Sequence, residues 1–147
     1  MEAKNEKDTV ALLQECGSGV RMGTESIRQV EDRIHSAPMR QQLIACRKKH
    51  ERLGHRTDEL LQKYGAQPQE PSAMLRGMAW IKTNVKMMTE FSDAAAADVL
   101  TDGCNMGVKS LNRYLNQYKA ADEVSKDITK RLINLEEKLT VEIRGFL

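Results

Sequence analysis

Cys16-Gly17-Ser18-Gly19-Val20-Arg21 returns later in the chain as Cys104-Asn105-Met106-Gly107-Val108-Lys109. In that register Leu12 meets Leu100, Cys16 meets Cys104, Gly19 meets Gly107 and Ile27 meets Leu115. Each copy is followed by a second apolar-periodic segment, Met39 to Tyr64 in the first half and Val124 to Phe146 in the second. A unit that cannot bury its apolar face alone does so against its copy, so the pattern reads as an internally duplicated two-helix hairpin. The expected fold class is all-α, an antiparallel four-helix bundle.

Composition agrees. Hydrophobic residues make up 40% and charged residues 30%, while aromatics are only 4% and the prolines number 3. That balance favours helices over a sandwich or barrel. The 147 residues suffice for one domain that buries roughly two-thirds of its unfolded surface. A net charge of +2 supplies no field that would select nucleic acid or an acidic membrane. No apolar run approaches the ~18 residues of a membrane span, and the charged first residues lack a signal region. A cytoplasmic protein is expected. Cys16, Cys46 and Cys104 are an odd count on apolar faces without metal spacing, expected to be reduced core residues.

Outward from the opening stretch, Leu13, Val20, Ile27 and Ile34 form the stripe of a first helix, with Asp8 or Thr9 as its cap and residues 1–7 disordered. Gly17, Gly19 and Gly23 each cost ~1 kcal/mol in a helix interior. They imply close approach to a neighbouring helix or room for a ligand. Ser36 and Pro38 open the second helix after a short turn, so the first two helices are antiparallel. Its stripe, Met39, Leu43, Cys46, His50, Leu53, Thr57, Leu60 and Tyr64, alternates steps of four and three up to a stop at Gly65. Residues 66–92 read as a crossover containing a short helix with Met74, Met78, Ile81, Val85 and Met88 on one side. Ser92 or Asp93 starts a helix with Ala97, Leu100, Cys104 and Leu111 inward. After a break at Ala120–Asp122, Val124, Ile128, Leu132, Leu135, Leu139 and Ile143 mark the last. The domain is thus 8–147, with hairpins 8–65 and 93–147.

Two hairpins joined by a long crossover between helices two and three is a ferritin-like topology. The run Cys16, Gly19 and Gly23, Trp80 with Lys82, and Cys104 with Gly107 resembles the small bacterial ferritin-like proteins of unknown function. Ala97-Asp98-Val99-Leu100, Leu135-Glu136-Glu137 and the Phe146-Leu147 ending are similar to segments of clostridial and bacillar members. The resemblance implies a ferritin-like four-helix bundle. A structural role in sporulation or stress rests on it alone, whereas metal handling would also need a degraded or intersubunit site around His50.

The metal ligands of such bundles are not retained. A carboxylate-bridged di-iron centre draws a Glu from each of two helices and a Glu-x-x-His from each of the others. This chain has no Glu-x-x-His. His50 is preceded by Arg47 at that spacing, and Glu136 and Glu137 are followed by Leu139 and Thr140. A degenerate site would have to be assembled from Glu15, His50 and Glu137, with Asp102 at its margin. His50 alone lies squarely on an apolar stripe, where a histidine is usually a hydrogen-bonded core residue, with Thr57 or Glu137 as the partner. No catalytic residue, cofactor or metal is expected. Cys46 and His50 share a face, but an unactivated thiol there is packing. Seven Arg and Lys between Arg40 and Lys63 read as a solvated face, because no aromatics accompany them to stack bases. The expected function is a non-catalytic interaction or accessory module with a protein partner or a homodimer. A degenerate iron-handling protein is the alternative.

Overall fold

The computed structural model describes residues 2–68, 84–85 and 90–147. Among these residues are four long helices, α1 (Glu2–Val30), α2 (Ala37–Lys63), α3 (Asp93–Gln117) and α4 (Glu123–Ile143). One-turn 3₁₀ segments follow α1 at Glu31–Arg33 and α4 at Arg144–Phe146. Most of the expected crossover helix, including Met74, Trp80 and Lys82, lies outside the described residues.

Ser36, Ser92 and Gly65 bound their helices as read from the sequence, and Asp122, within the expected break, adds a third N-cap. Ser36 caps α2 by accepting from the Met39 N–H at 3.3 Å, Ser92 caps α3 through the Ala95 N–H at 3.0 Å, and Asp122 caps α4 through the Ser125 N–H at 2.8 Å. At the end of α2, Gly65 takes φ +65. The Gly65 N–H donates to the Gln62 carbonyl and the Ala66 N–H to that of Leu61, both at 2.9 Å. This is a Schellman stop, which needs a residue without a Cβ penalty in the left-handed region.

The start of α1 is a correction. Residues 2–7, expected to be disordered, are its opening turns. Glu, Ala and Lys favour helix, and extending an existing helix avoids a second nucleation. Asp8 and Thr9 therefore do not cap α1. They reach across the bundle, Asp8 accepting from the Ala120 N–H at 3.0 Å and Thr9 from the Asp122 N–H at 2.8 Å. At the opposite end Asp93 accepts from the N–H groups of His35 and Ser36, each at 2.8 Å.

These ties fix the directions. The beginning of α1 meets the end of α3, and the end of α1 meets the beginning of α3, so the two are antiparallel. Tyr64, just past α2, donates to Asp122 at the start of α4 at 3.1 Å, so α2 and α4 also run in opposite senses. The α1–α2 and α3–α4 hairpins pack side by side, with α2 on α4 and α1 on both α3 and α4. The chain therefore leaves α2 at one end of the bundle and enters α3 at the other, about 40 Å away for a helix of this length.

The core has two clusters. One joins Ile27, Ile34, Met39, Leu43, Leu100 and Ile143, the other Leu13, Val20, Leu60, Leu111, Ile128 and Leu132. Two stripe positions are corrected. Tyr64 is half out at 36% exposure, held by its bond to Asp122, and Val124 is 45% exposed at the start of α4, where Ser125 turns inward instead.

Candidate functional site

The inward face of α4 is not wholly apolar. Ser125, Thr129 and Glu136 are all buried on it. Thr129 gives its hydroxyl proton to the Ser125 carbonyl at 2.8 Å, which leaves its oxygen to accept from the Cys16 thiol at 3.0 Å. Burial, offset only in part by that bond, pushes the Cys16 pKa up to about 11. The thiol stays protonated and unreactive.

Two turns further on, His50 of α2 meets Glu136. The Nε2–Oε1 distance is 2.8 Å and His50 is only 1% exposed. The other ring nitrogen, Nδ1, lies 2.9 Å from the Cys46 carbonyl. A carbonyl only accepts, so Nδ1 carries a proton; a carboxylate accepts as well, so Nε2 carries one too. Burial works against the charged ring, but hydrogen bonds to Cys46 and Glu136 and the Glu136 charge outweigh it. The His50 pKa is pushed up to about 10. The pair is an imidazolium–carboxylate ion pair inside the bundle.

Gly23, two residues past the opening stretch, and Gly107 of its repeat flank this pair. A Cβ on Gly23 would meet His50, and a Cβ on Gly107 would lie 3.7 Å from Glu136 Cδ. Cys104 also faces Glu136. Burial first, then the carboxylate's charge and its hydrogen bond, push that thiol far above the usual range. Both repeated cysteines thus face polar side chains of α4.

Above the pair, between α1 and α3, is a cavity of about 450 Å³. Its walls include Met22 and Ile27 of α1 and Leu100 and Leu111 of α3, with Leu132 beside Glu136 at the floor. Gly19, Gly23, Gly103 and Gly107 open the facing helix surfaces onto it. Both meanings of the glycines are therefore present: Gly23 admits the His50 ring, and all four leave space. The volume falls within the range of small-molecule pockets, ~300–1,000 Å³.

Of the candidate residues read from the sequence, His50 sits at the cavity floor and Glu15 on its wall, while Glu137 is exposed and does not reach them. The partner of His50 is Glu136, neither Glu137 nor Thr57; Thr57 donates to the Leu53 carbonyl at 2.8 Å. The sequence held the signal. Glu136 lies four residues after Leu132 and three before Leu139, on their face, whereas Glu137 is one step round the helix. Among the described residues no group of three or more His, Cys, Asp and Glu is arranged to hold a metal. Nor is the basic run of α2 all free charge: Arg47 binds Glu31 and Glu51, both at 2.9 Å, and Arg56 lies 3.8 Å from Glu59. No helix among the described residues is long and apolar enough to cross a membrane.

Compared with protein-family models, curated proteins and solved structures, the chain matches none. The class that fold and site define is an all-helical bundle with a buried ion pair beneath an apolar cavity.

Proposed function

We propose that this protein is a non-catalytic binding module of the ferritin-like kind, in which the cavity between α1 and α3 takes a small ligand. The ferritin-like part of the reading is supported by the helix directions: α1 and α4 run one way, α2 and α3 the other, with the long connection between α2 and α3. The binding part is carried by one observation. At the heart of the bundle the buried imidazole has both nitrogens committed to the Cys46 carbonyl and Glu136, beneath a cavity of about 450 Å³. An imidazole whose two nitrogens both carry protons has no lone pair for a metal and none with which to take a proton from the Cys46 thiol, 3.5 Å from Nδ1. The iron-handling alternative gains no ligand from Glu137, which is exposed.

Xenon tests the cavity, because open apolar cavities in proteins take it up. Under xenon pressure the methyl signals of Ile27, Leu100 and Leu111 should shift saturably, and Gly107→Leu, which fills the space beside Glu136, should abolish the shift. If xenon leaves those methyls unmoved in the wild-type chain, the cavity is not a binding site and the reading fails.

A further inference from the structure

We infer that the ligand of this cavity is an organic cation, an ammonium group carried on an apolar body. The inference rests on the cavity reading above and concerns what the cavity can recognise. Its charged lining residues among those described are Glu15, His50 and Glu136, with no Lys or Arg. His50 is the one cation, and it has no N–H to give: Nδ1 donates to the Cys46 carbonyl at 2.9 Å and Nε2 to Glu136 at 2.8 Å. The Ser26 hydroxyl on the same wall is spent on the Met22 carbonyl at 2.7 Å. The backbone N–H groups of the lining glycines belong to the helical ladders of α1 and α3.

The Ser18 and Ser110 hydroxyls on the lining can donate or accept and so favour neither sign of ligand; the discriminating groups are the two carboxylates. A carboxylate offers about four lone-pair positions; on Glu136 one, on Oε1, is taken by His50 and another by the Cys104 thiol. The second oxygen, Oε2, lies 3.8 Å from where a Cβ on Gly107 would stand, toward the α3 wall of the cavity. Glu15, which accepts from the Tyr114 hydroxyl, adds further acceptors on the wall. With the charge of His50 set against that of Glu136, the lining keeps one negative charge in excess, at Glu15, and a carboxylate or phosphate ligand would meet like charge there. An ammonium group brings three donors and no acceptor, and its charge has the complementary sign. The cation cannot be a bare metal ion, since most of the wall is aliphatic and could not replace its hydration shell. From Glu15 to Gly23 the wall of α1 extends about 12 Å at 1.5 Å per residue. That is several times the size of an ammonium group, so an apolar body must fill the rest.

The test compares 4-phenylbutylamine, 4-phenylbutanol and 4-phenylbutyrate at pH 7.5 by ¹H–¹⁵N correlation spectra. Gly19, Gly23, Gly103 and Gly107 line the cavity, and Gly65 and Gly145 serve as distant controls. The amine should shift the four cavity glycines saturably, leave the controls in place, and bind about tenfold tighter than the acid, the preference a partly buried ion pair supplies. Glu136→Gln should reduce that preference several-fold. If that variant does not fold, Glu15→Gln, altered at a half-buried position, should reduce it instead. Binding of the acid or the alcohol as tightly as the amine would overturn the cation assignment while leaving the cavity as a ligand site. No shift at the four glycines with any of the three, together with no xenon uptake, would overturn both.

Discussion

The ring of His50 occupies the space that a side chain on Gly23 would need. A Cβ there would lie 2.9 Å from His50 Cδ2 and 3.0 Å from Nε2, closer than carbon atoms approach without displacement. The ring is held through both nitrogens, so it can yield only by giving up a bond to the Cys46 carbonyl or to Glu136. Gly23→Ala should therefore push His50 off Glu136 and destabilise the fold by roughly 2 kcal/mol in urea unfolding, even though alanine itself favours the helix by ~1 kcal/mol. Gly107→Ala is the control. Its Cβ would meet Glu136 at an ordinary 3.7 Å, and it should be neutral or stabilising by up to ~1 kcal/mol.

Removing one member of the His50–Glu136 pair differs from removing both. His50→Leu leaves a carboxylate buried without its partner and should cost about 3–5 kcal/mol. His50→Leu combined with Glu136→Leu replaces the pair by apolar volume and should come out near neutral or more stable than wild type. A double-mutant cycle by denaturant unfolding measures the coupling; additive single and double costs would mean the two residues do not act as a pair.

The same pair sets a pH dependence. The folded His50 pKa is raised from 6.5 to about 10, so the folded state binds a proton that the unfolded state has released. The stabilisation is fully present below pH 6.5 and is lost as pH rises toward about 10. Urea midpoints should fall across that window in wild type and stay flatter in the His50→Leu/Glu136→Leu variant. Equal slopes would contradict a protonated His50.

Much of this architecture was legible from local chemistry. The stripes through Leu13 and Leu43 placed α1 and α2, Ser36 and Gly65 marked the two ends of α2 and Ser92 the start of α3, because caps and left-handed stops depend on single residue types. The repeat of Cys16 and Gly19 at Cys104 and Gly107 pointed to the two helices that face across the cavity. The long-range polar contacts were hidden. Asp8 and Thr9 resemble an N-cap in sequence, and only the fold brings them to Ala120 and Asp122. Glu136 stands on the face of Leu132 and Leu139, which the spacing shows, but its partner is supplied by α2, far away in sequence.

The ties at the two bundle ends should be worth measurable stability. Asp93 is partly buried, which would raise its pKa, yet the His35 and Ser36 N–H groups and the His35 ring lower it overall. Asp93→Ala leaves those two N–H groups without their acceptor and should cost about 1–2 kcal/mol in urea unfolding. Thr9→Val, which removes the acceptor for the Asp122 N–H, should cost about 1 kcal/mol. Values near zero for both would mean that water replaces these bonds.

The three thiols are buried in the folded chain. At pH 8 a disulfide reagent such as dithionitrobenzoate should label none of them in the native protein and all three in 6 M guanidinium. Fast native labelling of one cysteine would contradict that burial.

The most direct measurement is the state of the His50 ring itself, read from ¹⁵N imidazole shifts and one-bond N–H couplings at pH 7.5 before and after anaerobic addition of Fe(II) and Mn(II). The account predicts that both nitrogens carry protons, one bonded to the Cys46 carbonyl and one to Glu136, and that the metals leave their signals unchanged. A neutral ring with one bare nitrogen, or signals shifted or broadened by bound metal, would contradict it and make the centre of the bundle a metal site.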